Sequence, residues 1–148
     1  MIKLYYGCGI GMLTRAVIFS LLLTGCATVA KKVPGVEGAW QLVEIEGLKI
    51  SVTEGARTPS VRFDVADARV SGYGGCNNFS ASFAHKEKEL KVGPIAATRR
   101  ACSEPEEELE RAMFGALANT SAARAVDGTL DLLHAERVLA RFKAVDRE

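Results

Sequence analysis

Hydrophobic and polar residues alternate along much of this chain, as they do in β-strands that bury one face. Val61, Phe63 and Val65, for example, are separated by Arg62 and Asp64. Short segments of this kind predict strands at 40–46, 61–65, 69–73, 79–83, 90–92, 95–98, 123–126, 129–133 and 138–142. The polar runs between them, at 66–68 and 85–89, predict turns.

One segment has helical spacing instead. Ser103 followed by Glu106 matches a capping box, which marks the start of a helix. Glutamates crowd the following turns, where they interact favourably with the helix dipole, so the acidic run is interpreted as a solvated helix start and not as a metal or substrate site. The apolar face of this helix is formed by Leu109, Ala112, Met113, Ala116 and Leu117.

The order of these elements predicts the fold class. Asp127-Gly128 between two strand segments is a strong signal for a two-residue hairpin. Many short strands with one inserted helix favour a mainly β (α+β) fold. We expect a curled antiparallel sheet, or a small barrel-like sheet, with the helix covering one opening.

The first 25 residues have the layout of a secretory signal peptide. Arg15 precedes a short apolar run at 16–23, which is too short for a stable membrane span of roughly 20 apolar residues. The segment Leu23-Thr24-Gly25-Cys26 resembles a bacterial lipobox, which implies lipidation of the Cys26 sulfur and cleavage before it. An ordinary cleaved signal and a buried hydrophobic helix are the alternatives, and Met12 is a second plausible start.

Residues 26–37 are expected to form a lipidated tether, and residues 38–148 the folded domain. The tether lacks sustained periodicity and contains Pro34 and Gly35. Ala27 follows the lipidated cysteine where an Asp would signal retention at the inner membrane. In bacteria that sort lipoproteins as enterobacteria do, this implies an outer-membrane anchor that faces the periplasm, with the inner membrane as the alternative.

Composition and charge exclude some classes of function. Charged residues make up 25% and hydrophobic residues 48% of the chain, as in ordinary globular proteins. Without residues 1–25, 17 basic residues remain against 18 acidic ones, and no basic stripe indicates nucleic-acid binding. The two histidines, His85 and His134, do not have zinc-finger spacing from a cysteine, so no metal site is expected.

Two cysteines remain in the predicted domain. Export would place Cys76 and Cys102 in an oxidising compartment, where an even pair favours a disulfide. Two free buried thiols, or a reactive or metal-bound pair, are the alternatives.

A glycine-rich segment precedes the first of these cysteines. Gly72, Gly74 and Gly75 tolerate positive φ and predict an irregular turn or bulge. A phosphate cradle is the functional alternative, but the segment lacks the Lys-Ser/Thr pair of a P-loop and does not open a helix.

Several of these motifs together resemble the META domain of the HslJ-like group. The resemblance runs in order from about residue 38 to 145, and its most specific part is Gly-Cys-Asn-x-Phe paired with Thr-x-x-Ala-Cys. Ala81 stands where the family often has Gly, and Phe83 where it often has Tyr. The motif positions assigned a structural role are Trp40, Gly72, Gly75, Asn77, Phe79 and Thr98.

The resemblance implies a small exported β domain, often lipid-anchored, with envelope associations such as the heat-shock response and a shape similar to pilotin-like lipoproteins. It supplies no catalytic residue and no cofactor. We therefore expect a non-enzymatic lipoprotein that binds an envelope protein partner or supports the envelope under stress. A carrier of a small hydrophobic ligand or lipid, and a thiol-based enzyme, are the alternatives.

Overall fold

The computed structural model describes residues 35–46, 48–50 and 57–145. These residues form ten strands and one helix. In chain order they are β1 (Gly38–Ile45), β2 (Leu48–Lys49), β3 (Ser60–Asp64), β4 (Arg69–Tyr73), β5 (Asn78–Lys86), β6 (Glu89–Val92), β7 (Ala96–Ala97), α1 (Glu104–Ala118), β8 (Ala122–Val126), β9 (Thr129–His134) and β10 (Arg137–Ala144). The predicted signal peptide and Cys26 lie outside the described residues.

Eight of the described strands close into an antiparallel barrel. Their order is β1, β3, β4, β5, β6, β8, β9 and β10, and β10 pairs back onto β1 with Trp40 opposite Ala144. Strand β2 pairs with β1, and β7 pairs with β5 beside β6. The predicted mainly β fold with one helix is confirmed, and the sheet is a closed barrel.

Large side chains from the inward faces of the strands occupy the barrel interior. In β3, Val61 and Phe63 are buried while Arg62 is exposed, as the alternating pattern predicts. Each fully buried large apolar side chain stabilises the fold by about 1.5–3 kcal/mol. The largest fully buried side chains include Trp40, Leu42, Phe63, Leu90, Met113, Leu117, Leu130, Leu132, Leu139 and Phe142.

Helix α1 covers one end of the barrel. Its predicted apolar face packs inward, with Met113, Ala116 and Leu117 buried. The capping box is confirmed: Glu106 Oε2 accepts a hydrogen bond from the Ser103 amide at 3.0 Å. The hydrogen bonds from the Ser103 backbone and hydroxyl hold the pKa of Glu106 below its ordinary value.

The two ends of the barrel differ. At the entry end, the segment Gly35–Glu37 leads into β1, and the antiparallel order places the turns at 65–68, 87–88 and 127–128 there. Val36 is buried in the core and accepts a hydrogen bond from the Trp40 indole at 2.9 Å. The folded unit therefore includes part of the segment predicted as tether. We call the opposite, α1-covered end the helix end.

Three sequence predictions of local structure are corrected. Val65 lies in a turn and not in β3, because its amide donates to the Glu37 side chain at 2.7 Å instead of to a neighbouring strand. The turn predicted at 85–89 shrinks to 87–88, because His85 and Lys86 continue the ladder between β5 and β6. Strand β10 contains a bulge between Val138 and Ala140, which interrupts the predicted alternation.

Candidate functional site

Polar groups gather where the glycine-rich turn meets α1 at the helix end. We call this set the turn–helix cluster: the turn 74–77, the segment 98–102, and Glu110 on α1. The cluster contains the sequence-predicted residues Gly75, Cys76, Asn77, Thr98 and Cys102.

Glycines allow the turn to approach the helix closely. A Cβ added at Gly74 would lie 2.9 Å from the Phe114 ring, which is too close for a real contact. Gly75 has a φ of +127°, and a Cβ there would lie 3.3 Å from the carbonyl oxygen of Glu106. Phe79, just after the turn, packs edge-on against Phe114 with ring centroids 5.2 Å apart.

The other predicted structural positions lie in the barrel wall. Trp40 is buried in β1. Gly72 lies in β4 on the inward face, directly opposite Val61, and a Cβ there would overlap the carbonyl oxygen of Ser60. A larger residue at position 72 would therefore separate strands β3 and β4.

The Glu110 carboxylate binds the turn directly. Its Oε2 accepts hydrogen bonds from the backbone amides of Asn77 at 2.5 Å and Cys76 at 3.3 Å. Its Oε1 accepts a hydrogen bond from Asn77 Nδ2 at 2.9 Å. Hydrogen bonds to a charged acceptor are stronger than neutral ones, so this carboxylate fixes the turn to the helix.

Asn77 joins the turn to a third segment. Its side-chain oxygen accepts hydrogen bonds from Thr98 Oγ1 at 3.0 Å and from the Arg100 amide at 2.8 Å. Asn77 is buried, so both its amide nitrogen and its oxygen need partners, and both have them. The predicted motif residues Asn77 and Thr98 therefore contact each other directly.

The structure joins Cys76 and Cys102 in a disulfide, with their Cα atoms 5.9 Å apart. This is the pairing favoured from the sequence, and its Cα separation is ordinary for a disulfide. The bond connects the turn to the residue just before the helix cap. The disulfide and the hydrogen bonds to Glu110 therefore both hold the turn 74–77 against α1 and the segment just before it.

The arrangement decides between the two interpretations of the glycine-rich segment. The amides of Cys76 and Asn77, which a phosphate cradle would aim at a ligand, are occupied by Glu110 of the same chain. The segment is thus a structural turn closed by an internal carboxylate. Among the described residues, no three His, Cys, Asp or Glu side chains are grouped so that they could hold a metal ion.

Sequence reasoning missed the role of Glu110. A signal was present, because Glu110 precedes Met113 and Leu117 by three and seven residues and so falls on the apolar face of α1. A charged residue on such a face needs a specific partner. The acidic run at 104–108 obscured this signal because it drew attention to the glutamates of the opening turns and away from Glu110.

Sequence reasoning also missed an exposed arginine beside the cluster. The Arg57 guanidinium stacks over the Tyr73 ring at 4.3 Å and donates to Asn78 Oδ1 at 2.9 Å. The Tyr73 hydroxyl in turn donates to the Gly75 carbonyl at 2.5 Å. Arg57 is therefore held in a defined position at the surface of the helix end.

A second polar cluster crosses the outer face of the barrel. Asp131 of β9 pairs in register with Arg124 of β8 and Arg141 of β10. Its carboxylate oxygens lie 2.7 Å from Arg124 Nη2 and 2.7 Å from Arg141 Nε. Arg141 also lies 3.5 Å from Glu44 of β1, so alternating charges connect four strands. Asp131 is only 5% exposed because the arginines cover it.

The pairing of Asp131 predicts a dependence of stability on pH. Burial raises the pKa of Asp131, but the hydrogen bonds and charges of Arg141 and Arg124 outweigh it, and the pKa lies below its ordinary value. A carboxyl group whose pKa is lower in the folded state than in the unfolded state contributes its full stabilisation at pH values above the unfolded-state pKa. This contribution is lost as the pH falls through the folded-state pKa. We expect Asp131→Asn to lower the free energy of unfolding by about 1–2 kcal/mol at pH 7.

Urea unfolding at pH 7 and pH 3 tests this expectation. The difference between wild type and Asp131→Asn should narrow at pH 3, because below the ordinary aspartate pKa the unfolded wild-type chain takes up a proton at Asp131 more readily than the folded one. Asp127→Asn is the matched control, because Asp127 is exposed in a hairpin turn with φ of 48°, a conformation that Asn also accepts. A difference of the same size at both pH values would contradict the assignment.

The two histidines considered as metal ligands, His85 and His134, lie in strands β5 and β9. His134 Nδ1 lies 2.9 Å from the carbonyl oxygen of Asn119, and His85 is in β5 near Gly35. In the part of the chain that the structure describes, no helix has both the length and the apolar character needed to cross a membrane.

Comparisons with known proteins agree with this architecture. Residues 33–146 match the family model described as META domain. A protein with an NMR structure aligns with a TM-score of 0.58 and 24% identity, over 74% of this chain and 90% of its own. A second NMR structure, of a protein from Burkholderia xenovorans, gives a TM-score of 0.59 and 22% identity, over 76% and 85% of the two chains. Comparison with curated proteins gives no match.

Proposed function

The chain belongs to the META domain family, and on this premise we propose that it is a lipid-anchored protein of the bacterial envelope that binds a protein partner without catalysing a reaction. The observation that carries the proposal is the turn–helix cluster. Its carboxylate, its buried amide side chain and its cysteines bind one another. Groups engaged in this way stabilise a surface and are not available as a nucleophile or base.

The disulfide supports an extracytoplasmic location. Structural disulfides persist in oxidising compartments such as the periplasm and are rare in the cytosol. The bond between Cys76 and Cys102 therefore agrees with export directed by residues 1–25. Ala27 after the lipobox cysteine favours sorting to the periplasmic face of the outer membrane.

The anchor follows from the lipobox. A single acyl chain binds a membrane only marginally, whereas each buried methylene group adds about 0.8 kcal/mol, so two or three chains on Cys26 hold the protein durably. The domain would then remain at the membrane surface and present its helix end, with the fixed Arg57, to other envelope proteins.

A lipid or small-ligand carrier is less well supported. A carrier needs a concave, largely enclosed pocket. Large side chains such as Phe63, Leu132 and Phe142 occupy the barrel interior among the described residues. The depressions beside Val43 and beside Ser80 are open and lie on the outer surface of the sheet.

Metabolic labelling with a palmitate analogue tests the anchor. We expect the full chain to incorporate the label and to fractionate with membranes, and Cys26→Ser to do neither, because the acceptor sulfur is gone. Cys8→Ser is the matched control, since Cys8 lies in the predicted leader and its loss should change neither result. An unlabelled wild-type protein would contradict the anchor.

Crosslinking in living cells tests the partner role separately. A photoreactive residue at the exposed position Glu107 on α1 should capture one envelope protein reproducibly. Substitution of Arg57 by Ala should lower the yield of that crosslinked product if the helix end is the contact surface. Products formed with lipid alone would contradict a protein partner.

A further inference from the structure

The chain enters the barrel at one defined place. Gly35 lies beside His85, and the following residues lead directly into β1. Eight residues, 27–34, separate Gly35 from the lipobox cysteine Cys26. A chain segment of this length spans at most about 30 Å when fully extended. An anchor on Cys26 would therefore keep the entry end within a few nanometres of the bilayer.

Three of the four exposed large apolar side chains among the described residues lie at the same end; the fourth, Val43, is 36% exposed in β1. Val65, Val126 and Val145 are 48%, 56% and 47% exposed. Large exposed apolar side chains grouped together on a protein surface indicate an interaction site. We call these three valines the entry rim.

Backbone contacts connect the rim to the entry segment. The Val65 amide donates to the Glu37 carboxylate at 2.7 Å. The Val145 amide donates to the Ala39 carbonyl at 3.0 Å, on the other side of the same segment.

The third valine is linked through the neighbouring turn. Val126 precedes the turn 127–128, where the Gly128 carbonyl accepts a hydrogen bond from the Ala144 amide at 2.7 Å. Ala144 is the residue before Val145, so all three valines lie at the end of the barrel where the chain enters.

We propose that the entry rim rests on the bilayer surface, so that the domain is oriented with its helix end pointing away from the membrane. This inference depends on the lipid anchor proposed above. Three valines alone would bind a bilayer weakly. Because the tether keeps them beside the membrane at high effective concentration, a weak contact is sufficient to orient the domain.

The charges around the rim indicate the kind of surface it fits. The neighbouring turns and strand ends carry lysines and acidic residues in mixed order, including Lys86, Lys88, Glu87, Asp67 and Asp127. A strongly anionic surface attracts clusters of Lys and Arg without interspersed acids. The rim therefore fits a zwitterionic headgroup region better than an anionic one.

Fluorescence quenching by lipids tests this orientation. The full chain, purified in its lipidated form, is reconstituted into phosphatidylcholine vesicles with or without brominated acyl chains. Val126→Trp places a reporter in the rim, and Glu136→Trp places the same indole in the exposed turn 135–136 at the helix end. The native Trp40 is 1% exposed and supplies a constant background in both variants.

We expect brominated lipid to quench the Val126→Trp signal at least twofold more than the Glu136→Trp signal. Adding Val65→Ser and Val145→Ser to Val126→Trp should lower the quenching, because the native side chains then no longer hold the rim on the bilayer. Equal quenching of both reporters would mean a domain without a preferred orientation, and absence of quenching in both would mean a domain held away from the bilayer. Either result overturns the proposal.

Intact mass and vesicle flotation of the same samples separate this inference from the anchor on which it rests. An acylated chain that floats with the vesicles but leaves Val126→Trp unquenched overturns the rim alone. A chain without acyl groups that fails to float overturns both proposals. The Val126→Trp indole could also be shielded from water in vesicles without bromine while brominated lipid leaves its fluorescence unchanged. That result would assign the rim to a contact with a second copy of the chain, and it also overturns the lipid contact.

Discussion

Replacing Cys76 and Cys102 together by alanine lowers the free energy of unfolding by about 3–4 kcal/mol, the loop-closure contribution expected for this separation. The two cysteines are 26 positions apart, and the disulfide between them restricts the unfolded chain across β5, β6 and β7. The free energy of unfolding of a domain is commonly about 5–15 kcal/mol, so the contribution of the disulfide is a large part of it.

Urea unfolding of the oxidised wild type, the reduced wild type and the double variant measures the effect. The reduced wild type and the double variant should unfold at similar urea concentrations, because both lack the crosslink. Circular dichroism at low urea should retain the strand signal, since the barrel ladders do not depend on the disulfide. A double variant within about 1 kcal/mol of the oxidised wild type would contradict the expected contribution.

The strands were predictable from the sequence to the extent that each buries one face. Alternation at 61–63 and 79–83 identified β3 and β5 because their outward residues are polar and their inward residues apolar. Closure of the barrel was not predictable in the same way. It depends on β1 pairing with β10, where Trp40 lies opposite Ala144, more than 100 positions away in the chain.

The exact ends of the strands were less predictable because the local signals are ambiguous. The sequence His85-Lys-Glu-Lys-Glu89 is polar throughout, yet its first two residues continue β5. In a barrel, residues near the rim of a strand face solvent on both sides, so polarity there does not distinguish a strand from a turn. Only the positive φ of Glu87 fixes the turn.

The candidate site was predictable where a covalent or steric requirement fixed the residue type. The cysteine pair and the glycines fall in this class, and both predictions agree with the structure. The roles of Glu110 and Asp131 depend on which elements become neighbours. The predicted two-residue hairpin at 127–128 places Arg124 opposite Asp131, whereas the pairing with Arg141 depends on the bulged register between β9 and β10.

Glu110→Ala lowers the free energy of unfolding by about 2–4 kcal/mol, because it leaves the Cys76 and Asn77 amides and the Asn77 side chain without their charged acceptor. Each lost bond alone would account for about 1.5–3 kcal/mol, and water that enters the partly buried site recovers some of the loss. Thermal or urea unfolding measures the change.

Two further variants identify the cause. Glu107→Ala removes an exposed glutamate from the same helix and should change stability by no more than about 0.5 kcal/mol. The free energy of unfolding of Glu110→Gln should lie between the values of Glu110→Ala and wild type. Its oxygen can accept from the backbone amides, but its nitrogen would face the Asn77 amide nitrogen, donor against donor. Equal stability of Glu110→Ala and Glu107→Ala would contradict the role assigned to Glu110.

A double-mutant cycle then tests whether the carboxylate and the disulfide act together. The disulfide connects the turn at Cys76 to Cys102 just before α1, and the carboxylate connects the same turn to Glu110 in the middle of α1, so both restrain movement of the turn away from the helix. Once the disulfide is gone, the turn can move away from the helix and admit water, and the carboxylate has less structure left to hold. We therefore expect Glu110→Ala to destabilise the Cys76→Ala/Cys102→Ala protein less than it destabilises the wild type, with a coupling of about 0.5–2 kcal/mol. Strict additivity would mean that the two connections restrain different parts of the molecule.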